Sequence, residues 1–400
     1  MNFNRERRRP IWVLFISLLF LFSATTLPEA GEVRGVTNNT LMIGLIADMT
    51  GPTATDISGP IVMGLRTYFR YINDQGGIHG RKVKLIVEDD RYVIPHAVAA
   101  FKKLVFKDNI LALEGPLSSA SAFALLRQIE KNGLPTISYS PSDRMVVPLQ
   151  KYVFTCNGLY EDDIRILFNY ILEREKRPSI ALVYPDLEVG LAALRAATEE
   201  ARHNNLKLHT EILNIGAIDA TSQVLNLKRA KAKHIIIQGP AGGGVVMLRA
   251  ATKLALHAKY YGTTVTSNED IIEMGGVAVK DYLGTHQYTS WYDKYPGSVK
   301  VRETMIKYHK KIPIKSRLLC MGWVGGMVLK KGLDKAGRDV DGERLRDAVE
   351  GIRNLDTEGL TGPISYSTKD HKGLDYAKIF KPDLERKVFV AITDWIKAAK

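Results

Sequence analysis

The chain has 400 residues, 45% of them hydrophobic and 25% charged, with a formal net charge of +13. That composition excludes a disordered or collagen-like chain, and the length predicts two lobes rather than a single core. The positive charge favours anionic surfaces or ligands in a general way, but the basic residues are scattered without an arginine–aromatic groove, so nucleic acid is not an expected partner.

Arg5, Arg7, Arg8 and Arg9 precede an apolar run from Ile11 to Phe22, followed by Ser23-Ala-Thr-Thr. A basic start, a short apolar stretch and small residues predict a secretory signal peptide over residues 1–30 and export from the cytoplasm. An uncleaved membrane anchor is the alternative, since the run can be extended to Leu27. Cys156 and Cys320 lie far apart and form no CxxC or His/Cys cluster, so neither a metal nor a cofactor is expected.

Leu41–Ala47 reads as a buried strand, and 48–59 as a polar loop. A helix is predicted from Pro60 to Asn73, with Pro at its start and Leu65, Phe69 and Ile72 turned inward. Gln75-Gly-Gly-Ile-His-Gly80 is a stop, Val83–Val87 a second strand, and 95–107 a second helix. The strand Asn109–Leu113 then runs through Glu-Gly-Pro-Leu-Ser118-Ser119-Ala-Ser121 into an apolar-periodic helix, and Leu134–Ser138 is a fourth strand. This βαβαβαβ order predicts a parallel sheet covered on both faces, with ligands at the carboxyl ends of its strands. The loops there are 48–59, 115–119 and 139–145. Ser118 and Ser119 fit two roles: helix capping, or donation to an anionic group at a helix N-terminus.

The pattern restarts after residue 158. Helices are predicted at 160–174, 188–204, 221–232 and 243–257, with strands at 180–184, 206–213, 234–238 and 259–262. Further on, Tyr282–Tyr288 reads as extended. Helices follow at 298–310, 318–336 and 343–352, then strands at 360–367, 376–380 and 387–392. Crossings between the lobes are expected near 156–160, 284–287 and 361–364.

Several motifs have a plain structural reading. Glu88-Asp89-Asp90 is read as a solvated strand end rather than a metal or acid–base pair, since only alternate side chains share a face. Gly242-Gly-Gly244 lacks the Lys-Ser/Thr of a phosphate loop, and backbone approach to a ligand or simple packing serves better. Trp323, on an apolar helix beside Met327, is read as core. Tyr92, Tyr160 and Tyr184 are placed at element edges, and His79 and His371 in exposed turns.

The segments Ile43-Gly-Leu-Ile-Ala-Asp-Met-Thr-Gly-Pro, Ile72-Asn-Asp-Gln-Gly-Gly-Ile-His-Gly-Arg-Lys, Val87-Glu-Asp-Asp and Thr361-Gly-Pro-Ile-Ser-Tyr belong together. On them the chain resembles the periplasmic substrate-binding proteins of the branched-chain amino-acid (Leu/Ile/Val-binding) ABC importer family. The resemblance implies an α/β protein of two doubly wound, Rossmann-like lobes joined by a multi-strand hinge, the type I periplasmic binding or Venus-flytrap fold. It places an N-terminal lobe at 41–158 plus 286–362 and a C-terminal lobe at 159–285 plus 363–400.

It also implies a non-enzymatic, monomeric receptor. A small amino-acid-like or carboxylate-bearing ligand closes the lobes, and the closed form docks on an inner-membrane ABC permease. Ser118, Ser119, Ser140 and Ser142 match the family's carboxylate-holding positions, and Asp56 its first-loop position. Tyr160 opens the helix after the first crossing. In the second lobe Val189, Pro240 and Thr264 stand where relatives place aromatic covers and an acid for the ligand's ammonium, which puts a standard α-amino acid in doubt. A ligand sensor for a signalling partner is the alternative within the fold. A secreted α/β enzyme is the alternative outside it, against which stands the lack of G-x-S-x-G or a dinucleotide fingerprint.

Overall fold

The computed structural model describes Met1 and residues 33–310 and 316–398. The expected signal peptide at 1–30 lies, apart from Met1, outside the described residues. None of their helices is long and apolar enough to cross a membrane.

Chain order begins β1 (Thr40–Ala47), α1 (Gly59–Asp74), β2 (Lys82–Asp89), α2 (Ile94–Phe106), β3 (Ala112–Glu114), α3 (Ser119–Lys131), β4 (Thr136–Ser138) and β5 (Val153–Thr155). These strands form a parallel sheet in the order β2-β1-β3-β4-β5. There follow α4 (Tyr160–Leu172), β6 (Ile180–Tyr184), α5 (Glu188–His203), β7 (Leu208–Ile212), α6 (Thr221–Arg229), β8 (His234–Ile237), α7 (Ala241–Lys253), β9 (Lys259–Gly262), α8 (Asp270–Gly275) and β10 (Tyr282–His286). The chain ends with α9 (Pro296–His309), α10 (Leu318–Ala336), α11 (Gly342–Glu350), β11 (Tyr376–Asp383), β12 (Val388–Ala391) and β13 (Ile396–Lys397). The second sheet runs β12-β11-β10-β9-β8-β6-β7, parallel from β7 to β10 and antiparallel at β11 and β12.

Alternation inside continuously apolar strands explains the layers. In β1, Ile43, Leu45 and Ala47 join the core shared with α1 and α10, while Ile46 points to the opposite core with Phe101 and Leu104 of α2. In β6, Ala181 and Val183 face α7, while Leu182 faces α4 and α5 with Phe168 and Ala197. A strand covered by helices on both faces keeps no polar side, as the apolar runs required.

The pieces between the sheets lie side by side. The Gly158 N–H donates to Gln287 Oε1 (2.9 Å), the Tyr288 hydroxyl to the Cys156 carbonyl (3.1 Å), and the Gly373 N–H to the Thr155 carbonyl (3.1 Å). Both cysteines are buried and free.

Three expectations need correction. Residues 360–367 do not form a strand. Gly362 and Pro363 interrupt the run, the Thr361 N–H is taken by Thr357 Oγ1 (2.8 Å), and only the bridges Leu355–Ile364 and Ser367–Asp370 remain. His371 is fully buried: its ring stacks on Phe154 (4.0 Å between centroids), and Nε2 meets Glu350 (3.1 Å). Residues 54–58 of the first loop wind into a π-helical turn that runs straight into α1.

Trp323 is core, packed edge-on against Tyr68. The expected solvated strand end at Glu88-Asp89-Asp90 is a fourth correction: Asp90 is fully buried, and the three acids serve separate ties, to Lys103, to Thr50 with the Met49 N–H, and to Ser121.

Glu114, the last residue of β3, is fully buried, and burial pushes its carboxyl up to about 8 against the pull of the Tyr139 hydroxyl (2.7 Å). A folded value above the ordinary 4.5 means the folded chain binds the extra proton. That contribution is complete below 4.5 and is lost as pH rises through about 8. Glu114→Gln is therefore expected to flatten the fall of melting temperature between pH 5 and 9, with its largest gain over the parent at the alkaline end. Parallel melting curves across that range check it, and superimposable parent and variant profiles would disprove it.

Candidate functional site

The rim of the first sheet is built from loops that cap themselves. Asp48 accepts from the Thr53 N–H (2.8 Å) and hydroxyl (2.9 Å), which fixes the loop after β1. Gly115 ends β3 at φ +92°, where a Cβ would press on the Ile46 carbonyl oxygen, so glycine is required for the chain to turn. Ser118 is then the N-cap of α3, its hydroxyl accepting from the Ser121 N–H (3.3 Å).

The serines expected to hold a carboxylate are engaged with protein groups. Ser119 and Ser140 share a hydrogen bond between hydroxyls (2.8 Å). Ser119 also meets the Tyr160 hydroxyl, and Ser118 that of Tyr92. Ser142 donates to Glu188 Oε1 (3.1 Å), at the N-terminus of α5 on the other lobe. Arg195 holds that seam from the second lobe, reaching Glu188 (3.0 Å), Asp143 (3.3 Å) and Glu161 (3.4 Å).

The rim of the second sheet carries a cavity of about 360 Å³. It opens at the carboxyl ends of β6, β7 and β8, where a doubly wound sheet leaves its crevice. Val183, Leu213, Ile215, Ile237, Val246 and Met274 make its apolar wall. Gly242, Gly243 and Gly244 at the start of α7 widen it, and a Cβ on Gly242 or Gly243 would meet nothing. Asp56 from the first lobe closes one side. Its lining polar side chains are Asp56, Asn214 and Gln238, with no Lys, Arg or His among them.

Gln238 is 3% exposed. Its Nε2 donates to the Val189 carbonyl (2.7 Å), and its Oε1 is buried without a partner, as is Asp56 Oδ1. Asn214 is already used, accepting from the Asp186 N–H (3.2 Å).

Of the nine expected site residues, Asp56 and Pro240 line the cavity, and Val189 touches it through Gln238. The four serines and Tyr160 gather at the first rim and the seam instead. Thr264 donates through N–H (2.8 Å) and hydroxyl (3.0 Å) to Asp163, so the loop without an acid of its own receives one from α4. Burial pushes the Asp163 carboxyl up to about 6 in spite of those hydrogen bonds. The run Tyr160-Glu-Asp-Asp163 was the available signal, since acids at a helix start are expected in solvent and these are buried. Gln238, Asp270 and the 213–217 loop were not singled out.

A family model described as periplasmic binding protein matches residues 40–383. A Leu/Ile/Val-binding protein of Rhizobium johnstonii is 26% identical over 334 residues, covering 82% of this chain and 87% of that one. A leucine-, isoleucine-, valine-, threonine- and alanine-binding protein of Pseudomonas aeruginosa is 24% identical over 342 residues, covering 84% and 89%. Among solved structures, a branched-chain amino-acid ABC transporter protein of Thermus thermophilus with bound valine superposes with a TM-score of 0.83 at 21% identity, over 91% of this chain and 98% of its own. A fatty-acid ABC transporter substrate-binding protein of Thermomonospora curvata gives 0.82 at 22%, over 91% and 94%. The curated relatives are binding proteins rather than enzymes.

Proposed function

Since the chain belongs to the periplasmic binding protein family, we propose that it is the solute-binding component of an ABC import system. It acts in the periplasm after removal of the 1–30 segment, as a monomer that delivers its ligand chemically unchanged to an inner-membrane permease. Its lobes comprise 41–158 plus 286–362 and 159–285 plus 363–400.

The observation that carries this reading is the cavity at the strand ends of the second lobe, closed on one side by Asp56 of the first. A volume of about 360 Å³ suits a small organic molecule, and the apolar wall with few polar groups is the usual make-up of such a site. A ligand touching both lobes favours the closed state by its differential affinity for closed over open. The relatives named for branched-chain amino acids and for a fatty acid have ligands with an apolar body in common, which the wall accommodates.

Gly243→Phe tests this. The position has open space around it, so the ring enters the cavity without disturbing α7, and the helix-propensity change from glycine is favourable by only about half a kcal/mol. The parent is expected to gain melting temperature with at least one of L-leucine and L-valine and to contract in X-ray scattering, because a ligand for the folded form must stabilise it. The variant is expected to melt like the parent and lose both responses. Unchanged binding by Gly243→Phe, or recovery of a chemically altered ligand, defeats the reading.

A further inference from the structure

The polarity of the cavity has a definite sense. Both of its unpartnered buried side-chain atoms, Gln238 Oε1 and Asp56 Oδ1, are acceptors. The Val189 carbonyl fixes the Gln238 amide by accepting from Nε2, which leaves Oε1 as the end without a partner. Leaving such atoms unpaired in an apolar surround is unfavourable, so the site is complete only when something donates to them.

The formal charge on the lining is one negative, from Asp56. Burial, and after it the nearby acids Asp56, Glu269 and Glu273, push Asp270 of α8 up to about 6. Asp270 lies outside the cavity lining, and a cation beside Asp56 offsets the repulsion between these two acids of opposite lobes. A carboxylate would meet the same groups as an opponent. The serines that could hold one are already paired, Ser119 with Ser140 and Ser142 with Glu188. At the mouth, Ile215 and Met274 are 51% and 43% exposed, so the apolar surface continues outward from the polar end.

We propose that this cavity selects its ligand through a hydrogen-bond-donating head, a primary ammonium held by Asp56 Oδ1 and Gln238 Oε1, on an apolar body, and that an α-carboxylate is not required. The ligand class is then an apolar primary amine. The proposal rests on the reading that the cavity is the ligand site.

The test compares isopentylamine with 4-methylpentanoate, which share an apolar body and differ in the head. Full-length protein is titrated by calorimetry and thermal shift, with X-ray scattering to follow closure. Isopentylamine is expected to bind and 4-methylpentanoate to fail. Asp56→Asn and Gln238→Leu are each expected to weaken the amine by about tenfold or more, the range of a lost charge-assisted hydrogen bond. Asp56 is half-buried in the turn before α1 and Asn has the same shape as Asp, so its variant keeps the test usable should Gln238→Leu misfold. The proposal falls if isopentylamine does not bind at about 10 mM, where even a weak site stabilises the folded form. It falls equally if neither variant weakens the amine. Binding and closure by 4-methylpentanoate alone overturns the donor head and leaves the binding-protein reading intact. Amine binding that depends on Asp56 but closes nothing keeps the head and overturns that reading.

Discussion

Arg317→Met is expected to lower the unfolding free energy by about 3–5 kcal/mol, the range for stripping one partner from a buried ion pair. Arg317 is 0% exposed just before α10, the helix that packs on α1 of the first lobe. Its Nε lies 2.9 Å from Glu269, which is 2% exposed and precedes α8 of the second. The guanidinium also donates to the Tyr292 hydroxyl (2.9 Å) and the Phe389 carbonyl (2.9 Å), and sits 4.0 Å over the Phe380 ring. One side chain thus satisfies groups from both halves.

Without it, Glu269 keeps a hydrogen bond from Tyr292 but no counter-charge. Burial already raises the Glu269 carboxyl, and Arg317 is the main force opposing that rise. In the variant the folded value climbs further, so the deficit is deepest at alkaline pH and shrinks as pH falls and Glu269 takes up a proton. Urea unfolding near neutrality and near pH 5 measures both features. The double variant Arg317→Met/Glu269→Met is expected to recover most of the loss, since an apolar pair of similar volume replaces the ions. A single variant within about 1 kcal/mol of the parent at pH 7 contradicts the argument.

Gly322→Val is expected to cost about 3 kcal/mol or more, through overpacking that the surroundings cannot absorb. A Cβ at Gly322 would collide with the Ile61 carbonyl oxygen of α1, and one at Gly64 with the Leu319 carbonyl oxygen of α10. The obstacle in both cases is backbone, which has no rotamer to change. Gly325 and Gly326 extend the close face, against the Tyr139 and Tyr68 rings. Gly242→Ala in α7 is the counterpart, with open space around its Cβ, and is expected to be neutral or to gain up to about 1 kcal/mol. Thermal melts should place Gly322→Val well below the parent and Gly242→Ala level with it or above. Equal shifts would show that the helix contact is looser than it looks.

The layering was legible because β1 and β6 carry apolar residues at successive positions, which only a strand covered on both faces requires. The glycine-rich stop at 75–80 and the proline at the start of α1 set that helix within one residue at each end. The strand expected at 360–367 failed because β-like composition does not report where N–H groups go, and Thr357 had already taken one.

The site was legible only in part. Asp56 and Pro240 could be placed from their loops, but whether a polar atom lacks a partner depends on residues distant in sequence. Gln238 is oriented by Val189, and Thr264 by Asp163. His371 looked exposed because its turn is polar, yet Phe154 and Glu350 enclose it from two other segments.

The interleaved path of the chain has a consequence for its biogenesis. The helix that seals α1 arrives only at 318–336, and the strands that complete the second sheet only at 376–391. The first half is therefore unfinished until 318–336 has been made, and the second until 376–391 has. The opening segment of each half must wait for partners made well over a hundred residues later, so native packing of either half follows the synthesis of its first segment at a distance.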